Sequence, residues 1–356
     1  MKVLRTAVAP CLGLAFFLLP ALAQAQYQLT TLVSNQVNST IPTIDPLLAN
    51  PWGLARSAGS PWWISDNDTG WSTLYNAAGA QVPLRVVIPT AGNGPVSATG
   101  TNGPGTPTGI VYNASKTDFQ VSGAASSFIF ATLDGTISAW PGLNKNLATL
   151  VVDNSATGAS YTGLAITSNP SGNLIYAADN ANNKIDMYDG SFNWVGSFGD
   201  PSVPSTMSVF GVQDINGMVY VTYAVPNVGA GGVVDIFQEN GTFVKTLIKG
   251  TLLNQAWGVA LAPSNFGPLS NTLLVSNNSV EGTINGFNPV TGKYVGTMRN
   301  EQGSVIVLNN LWGIAFGGGT ASNGATNELF VTVGPGIGPS ELAGTFASIV
   351  YNPGPH

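Results

Sequence analysis

The sequence predicts an all-β protein, a six-bladed β-propeller closed by its N-terminal strand. Three observations predict this fold. A short motif recurs six times, strand-like segments follow each copy, and the N-terminal segment supplies the one strand that the last copy lacks. Helical periodicity is nearly absent, so an α-helical or mixed fold is not favoured.

The motif is a bulky residue or threonine, then glycine, then an aliphatic residue. Its six copies are Trp52-Gly53-Leu54, Thr108-Gly109-Ile110, Thr162-Gly163-Leu164, Phe210-Gly211-Val212, Trp257-Gly258-Val259 and Trp312-Gly313-Ile314. Successive glycines are separated by 56, 54, 48, 47 and 55 residues. A period of this length is typical of one four-stranded propeller blade with variable loops.

Each copy is followed by further strand-like segments, rich in β-branched and aromatic residues and bounded by Gly, Asn, Asp or Pro. The second segments include "WWIS" (62–65) and "FIFAT" (128–132), and the third include "GTISAW" (135–140) and "KIDMY" (184–188). A fourth follows five of the copies, as in "NLATLVVDN" (146–154). The sixth copy has no room for one, and "YQLTTLVSN" (27–35) resembles the missing segment. Pairing of this N-terminal segment with the last blade would close the ring.

The repeated glycine has a predicted structural role. Innermost strands crowd around the propeller axis, and glycine allows their backbones to approach closely. The Trp or Phe before it is interpreted as a wedge between neighbouring blades, since buried aromatic residues usually serve packing.

The predicted organisation is a signal peptide at 1–25 followed by a single propeller domain at 26–353, with blades starting near Trp52, Thr108, Thr162, Phe210, Trp257 and Trp312. Lys2 and Arg5, an apolar stretch and Ala-Gln-Ala are typical of a secretory signal. We therefore expect a secreted protein, extracellular or periplasmic. Cys11 is the only cysteine, so the mature chain would lack disulfides and thiolate metal sites.

Composition argues against several classes of partner. The full chain has 11 basic and 17 acidic residues, and charged residues make up only 8% of it. Such an acidic protein with scattered charges lacks the basic patch needed for nucleic acid or an anionic membrane. No second apolar stretch is long enough to cross a bilayer, so no stable membrane insertion is expected after signal cleavage.

The predicted binding face is the one on which the chain enters each innermost strand, here called the entrance face. The turns between second and third strands share it, and loops at 90–107, 224–231 and 334–343 extend from it. Long loops on a rigid scaffold often carry binding residues. The predicted binding residues are Trp52, Asp66, Asn67, Asp134, Asp179, Asn180, Tyr223, Trp257, Asn277 and Trp312.

The densest polar segment on this face is "SDNDTGW" (65–71). Asp66 and Asp68 offer oxygens that calcium favours, so calcium is the one cofactor the sequence suggests. The segment lacks the downstream glutamate of a calcium loop, and Asp, Asn and Gly also form ordinary tight turns. Asp66, Asp134 and Asp179 come from successive blades and could work as an acid–base pair if the fold brought two of them together.

Several catalytic systems are missing. His356 is the only histidine and is the last residue, which argues against a Ser-His-Asp triad and His-ligated zinc. No nucleophile elbow, phosphate loop or dinucleotide fingerprint occurs.

The segment "LIYAADNANNKIDMYDGSFNWVGSF" (174–198) resembles an NHL-type propeller repeat. With "NPWGLA", "PWWISDNDTGWSTLYN", "FIFATLDGTISAW", "YVTYA" and "LWGIAFG", the chain from Tyr27 to about Tyr351 resembles a family of secreted bacterial propellers of unassigned activity. Many members of that family end in a Pro-Glu-Pro sorting tail, whereas this chain ends in "YNPGPH". The resemblance implies a propeller fold and secretion, and supplies no catalytic residues.

Two functions follow from these observations. The favoured one is a secreted scaffold that binds a glycan, peptide or protein on the entrance face, because polar neutral and aromatic residues suit such ligands. The alternative is a calcium-dependent hydrolase or lyase with Asp66, Asp68, Asp179 and Asn277 around an axial ion. The lack of general bases and nucleophiles favours the scaffold.

Overall fold

The computed structural model describes residues 26–36, 41–92, 105–142, 146–167, 172–225, 229–334 and 344–353. They form a nearly all-β, six-bladed propeller, as predicted. The predicted signal peptide (1–25), Cys11 and His356 lie outside the described residues. So do most of the loop at 334–343 and parts of the loops at 90–107 and 224–231.

The strands follow the chain blade by blade. Two N-terminal strands, β1 (Gln26–Ser34) and β2 (Thr43–Ile44), precede the first blade. The first blade has β3 (Pro51–Ala55), β4 (Trp62–Asp66), β5 (Trp71–Tyr75) and β6 (Val86–Val87). The second has β7 (Pro107–Tyr112), the hairpin β8 (Gln120–Val121) and β9 (Ala124–Ala125), then β10 (Phe128–Thr132), β11 (Thr136–Trp140) and β12 (Thr149–Asp153). The third has β13 (Tyr161–Ile166), β14 (Ile175–Asp179), β15 (Lys184–Tyr188) and β16 (Trp194–Phe198).

The remaining blades follow the same plan. The fourth has β17 (Ser208–Ile215), β18 (Met218–Ala224), β19 (Gly232–Gln238) and β20 (Phe243–Lys249). The fifth has β21 (Ala256–Leu261), β22 (Leu273–Asn277), β23 (Ile284–Phe287) and β24 (Tyr294–Thr297). The sixth has β25 (Leu311–Phe316), β26 (Glu328–Val333) and β27 (Thr345–Asn352). Short 3₁₀ turns occur at Ser155–Thr157 and Gly267–Leu269. Among the described residues, no helix is long and apolar enough to cross a bilayer.

The ring is closed by the N-terminal strand, as predicted. Strand β1 pairs antiparallel with β27, from Gln26 opposite Asn352 to Ser34 opposite Thr345. The Tyr27 hydroxyl donates a 2.7 Å hydrogen bond to the Phe266 carbonyl of the fifth blade. Strand β2 adds a fifth, parallel strand outside β1, which the sequence did not predict.

Alternation along the strands places a core between every pair of adjacent blades. Trp62 and Trp63 are consecutive, so their side chains point to opposite faces of the sheet. Trp62 packs with Phe330 and Phe346 of the sixth blade. Trp63 stacks on Phe128 of the second blade. The core is therefore a ring of inter-blade clusters around the axis.

At five of the six motif glycines a Cβ would overlap the innermost strand of the neighbouring blade, in agreement with the predicted role; at Gly163 the nearest atom would be 3.3 Å away. A Cβ on Gly53 would come within 2.4 Å of the Thr108 carbonyl oxygen. One on Gly211 would come within 2.0 Å of the Trp257 carbonyl oxygen, and one on Gly313 within 2.8 Å of that of Trp52. Contacts this short exclude a side chain, so glycine sets the spacing of the innermost strands.

Candidate ligand pocket on the entrance face

Four aromatic residues of the repeated motif meet at the propeller axis. The Trp52 and Trp312 rings are stacked, with centroids 3.5 Å apart. Trp257 meets both of them edge-on, at 6.3 Å from Trp52 and 5.8 Å from Trp312. Phe210 lies 5.8 Å from Trp312. We call Trp52, Phe210, Trp257 and Trp312 the axial aromatic cluster.

These contacts correct the interpretation of the aromatic residues as wedges between neighbouring blades. Trp52 meets Trp257 although the first and fifth blades are not neighbours, and Phe210 meets Trp312 although the fourth and sixth are not. The Trp257 indole donates a 2.8 Å hydrogen bond across the ring to the Thr162 carbonyl of the third blade. The second and third blades carry only threonine at this position, which leaves room at the axis for four large rings.

Three polar atoms beside this cluster are buried and have no hydrogen-bond partner among the described residues. They are the indole nitrogens of Trp52 and Trp312 and the side-chain oxygen of Asn50. Both indoles belong to residues that are 7% exposed. A Cβ built on Gly334 would lie 2.6 Å from the Trp312 nitrogen and 2.7 Å from the Asn50 oxygen. A side chain at position 334 would therefore overlap this unused donor and this unused acceptor.

These atoms border a pocket of about 550 Å³ on the entrance face. Its described lining contains aromatic, amide and small aliphatic side chains and no charged ones: Asn50, Trp52, Asn180, Phe210, Ala224, Val225, Gln255, Asn278, Asn310 and Trp312. Its size lies within the range of roughly 300 to 1,000 Å³ typical of small-molecule sites. The pocket is thus suited to a neutral ligand with hydrogen-bonding groups.

Sequence reasoning missed three amide residues on the rim. Asn50, Gln255 and Asn310 each stand two residues before a motif tryptophan and have left-handed backbone, with φ of 47°, 51° and 55°. Non-glycine residues adopt this region rarely, and asparagine does so most readily. The recurring pattern amide-x-Trp-Gly was the signal that could have identified them.

The asparagines of the predicted turns connect neighbouring blades. The Asn67 side chain donates to the Pro107 carbonyl at 3.1 Å and that of Asn180 donates to the Val209 carbonyl at 2.7 Å. Asn278, which was not predicted, donates to the Leu311 carbonyl at 3.3 Å. Asn180 and Asn278 also line the pocket, so they combine a structural and a potential binding role.

Other predicted site residues point into their own blades. A carboxylate oxygen of Asp66 accepts the Thr73 N–H at 3.1 Å, and one of Asp179 accepts the Ser160 N–H at 3.1 Å. The side-chain oxygen of Asn277 accepts the Asn254 N–H at 2.9 Å. None of these three side chains lines the pocket. Their hydrogen bonds stabilise turns and strand ends.

Asp134 and Tyr223 are also placed away from the pocket. Asp134 accepts the Thr106 N–H at 3.1 Å. Tyr223 is buried between the third and fourth blades, and its hydroxyl accepts the Asp200 N–H at 3.0 Å. Its neighbours Ala224 and Val225 line the pocket instead. Trp257 faces the other end of the axial channel, so of the three predicted tryptophans only Trp52 and Trp312 line this pocket.

The two carboxylates of the hypothetical calcium site, Asp66 and Asp68, lie in different environments. Asp66 is fully buried in the first blade, whereas Asp68 is exposed and accepts a 3.0 Å hydrogen bond from the Asn50 side chain. Within the described ranges, no three Asp, Glu, His or Cys residues are grouped so as to hold a metal ion. Asp66 and Asp179 instead accept hydrogen bonds from backbone N–H groups of their own blades.

Two buried acids outside the pocket have strongly perturbed pKa values. Burial raises the pKa of Asp66 well above its usual range, against a hydrogen bond from Thr73 that lowers it. Burial raises the pKa of Asp235 to about 7; Thr246 opposes this rise and the nearby Asp200 carboxylate adds to it. A protonated carboxyl is the expected form of Asp235 in mildly acidic solution.

We expect Asp235→Asn to flatten the dependence of stability on pH. The folded wild-type protein holds a proton with a pKa of about 7, while an unfolded aspartate releases it near ~3.9. The Asp235 contribution to the free energy of unfolding therefore falls as pH rises from ~4 to ~7, by roughly 1.4 kcal/mol per pH unit. Urea unfolding of both proteins between pH 4.5 and 8 measures the difference, and parallel profiles would contradict the assignment.

Comparison with known proteins places the chain in a family. An uncharacterized protein of Acanthamoeba polyphaga mimivirus is 31% identical over 317 residues, which cover 83% of this chain and 75% of the viral protein. The chain belongs to the family of this viral protein. No protein-family model matches it, so the NHL-like repeat stays a prediction. The curated relatives found are mimivirus proteins, which gives no support to a bacterial family or to a sorting tail.

Solved structures support the fold of this family member. A gluconolactonase from Xanthomonas campestris aligns with a TM-score of 0.57 at 13% identity, covering 93% of each chain. A streptogramin B lyase aligns with a TM-score of 0.53 at 13% identity, covering 92% of this chain and 98% of the lyase. At such low identity the similarity shows a shared propeller architecture and nothing about activity.

Proposed function

We propose that the protein is a binding scaffold that receives a neutral glycan in the entrance-face pocket. One observation carries this proposal: two buried indole N–H groups, on Trp52 and Trp312, lack an acceptor among the described residues beside an uncharged lining. A buried donor without a partner costs about 1–3 kcal/mol. A ligand oxygen that accepts these hydrogen bonds would recover that cost on binding.

The chemistry of the pocket suits a sugar. A hydroxyl group both accepts and donates, so one sugar can accept from the indoles and donate to the free Asn50 oxygen. Phe210 and Val225 supply apolar contacts for the carbon skeleton. A charged ligand would lose hydration in a pocket whose described lining holds no opposite charge.

Trp312→Phe tests this proposal because it keeps an aromatic ring and removes the indole donor. We expect the wild-type protein to retain a subset of neutral glycans on an array, with binding weakened about tenfold in the variant through the lost hydrogen bond. The matched control is Trp194→Phe, since Trp194 is 60% exposed on the outer strand β16. It should bind as the wild type does.

Three outcomes would count against a glycan. The first is that the wild-type protein retains no neutral glycan. The second is that Trp312→Phe binds glycan as tightly as the wild type does. The third is that the protein prefers an unmodified peptide panel to the glycans. Running the array with millimolar calcium and with a chelator distinguishes the glycan-binding scaffold from the alternative, a calcium-dependent enzyme. Binding or turnover that requires calcium would favour that alternative. In the structure, Asp66, Asp179 and Asn277 already accept hydrogen bonds from backbone N–H groups of their own blades.

Export is part of the same proposal. The charged N-terminus, apolar stretch and Ala-Gln-Ala of the first 25 residues support it. Mass spectrometry of the N-terminal peptide after expression in a secreting host tests it. A mature chain that begins after Ala23 or Ala25 is expected, and an intact N-terminus retained in the cell would count against export.

A further inference from the structure

The axial channel has a second pocket on the face opposite the entrance face. Its volume is about 450 Å³, and Trp257 of the axial aromatic cluster borders it. The aliphatic residue that follows the motif glycine lines it in every blade: Leu54, Ile110, Leu164, Val212, Val259 and Ile314. The repeated motif thus contributes a ring of aliphatic side chains to this channel, which we call the distal channel.

One charged side chain occurs among the described residues that line the distal channel, namely Arg56. Its Nε donates to the Phe316 carbonyl at 3.0 Å, and its Nη1 donates to the Ser57 carbonyl at 3.3 Å. Its guanidinium carbon lies 5.6 Å from the centroid of a Trp62 ring. These contacts hold the guanidinium in place at the edge of the channel.

Arg56 makes no ion pair with a described carboxylate, and no described residue accepts a hydrogen bond from its Nη2. Burial lowers the pKa of Arg56, which reflects the cost of holding this cation partly away from water. The formal net charge of the chain is −6, so a cation without a carboxylate partner beside this ring of aliphatic side chains is a local exception. An anion bound there would compensate the charge of Arg56.

We propose that the distal channel binds a monoanionic amphiphile, an alkyl or aryl carboxylate, with its apolar part among the aliphatic side chains and its carboxylate at Arg56. Arginine and carboxylate form strong charge-assisted hydrogen bonds. Each methylene transferred from water into the channel should strengthen binding about fourfold until the channel is full. This site lies at the other end of the axis from the proposed glycan pocket and does not depend on it.

Calorimetric titration with hexanoate, octanoate and 1-octanol tests the proposal. We expect saturable one-to-one binding of octanoate, tighter than hexanoate and at least about tenfold tighter than octanol, which lacks the charge. Arg56→Gln should weaken octanoate about tenfold and leave octanol unchanged. Arg299→Gln is the matched control, because Arg299 lies outside the distal channel, and it should bind octanoate as the wild type does.

Leu261→Glu keeps the test decisive if Arg56→Gln does not fold. Leu261 lines the channel and is 37% exposed, so the fold should tolerate glutamate there. The new carboxylate should weaken octanoate and spare octanol. No saturable octanoate binding by the wild-type protein would overturn the proposal. So would octanoate affinity unchanged in either channel variant whose near-ultraviolet circular dichroism matches the wild type.

Discussion

Deletion of residues 27–35 is expected to prevent stable folding. Strand β1 forms the fourth strand of the sixth blade, between β27 and β2, and buries Tyr27, Leu32 and Val33. Burial of one apolar side chain contributes about 1.5–3 kcal/mol. Loss of β1 should therefore lower the free energy of unfolding by about 5 kcal/mol or more, which is comparable to the total stability of many domains. It also exposes the edge of β27, which favours aggregation. Size-exclusion chromatography and near-ultraviolet circular dichroism should show aggregated or unstructured protein.

Deletion of residues 354–356 is the control, and we expect a thermal midpoint close to that of the wild type. A graded version uses two substitutions within β1. Val33→Ala should destabilise by about 2 kcal/mol because Val33 is fully buried, whereas Leu29→Ala should have a small effect because Leu29 is 37% exposed. Equal effects of the two deletions would show that ring closure contributes little to stability.

Gly211→Ala is expected to destabilise the protein by about 2 kcal/mol or more. The new methyl group would lie 2.0 Å from the Trp257 carbonyl oxygen and 2.9 Å from the Thr222 hydroxyl oxygen. The first contact is to backbone, so a side-chain rotation cannot relieve it, and the fourth and fifth blades would have to move apart. Equilibrium unfolding in urea measures the loss.

Gly163→Ala is the matched control at the same position of the motif. The nearest atom to its methyl group would be the Val212 nitrogen at 3.3 Å, and neither glycine has a left-handed φ. Only the space at the blade interface therefore distinguishes the two substitutions. Alanine also restricts the unfolded chain, which stabilises by about 0.4–1 kcal/mol, so we expect Gly163→Ala to be nearly neutral. Similar losses for both variants would argue against strand spacing as the role of the motif glycine.

Much of the fold could be predicted because it is repetitive. The spacing of the motif glycines revealed six units, and alternating apolar segments such as "KIDMY" revealed their strands. The absence of a fourth segment after Trp312 pointed to the N-terminal strand. Each of these signals is local and recurs at a known interval, so one sequence contains several independent copies of the evidence.

The candidate pocket was less predictable. Trp52 and Trp312 were correctly expected on the entrance face, but their stacking and unused donors depend on side chains from separate blades. Tyr223 and Asn277 occupy turn positions like those of pocket residues, yet they are hydrogen-bonded inside their own parts of the ring. Asn50, Gln255 and Asn310 were missed because the recurring amide-x-Trp-Gly pattern does not by itself show that these residues line a pocket.

The sequence by itself determined the number of blades, the glycine at each close approach and the pairing of the two chain ends, because period and side-chain size are encoded locally. Only the tertiary structure decided which tryptophans meet at the axis and which carboxylates accept hydrogen bonds within their own blades. It also decided where Arg56 lies relative to the distal channel. These features depend on the orientation of side chains from six separate blades around one axis, and the spacing of residues along the chain does not specify that orientation.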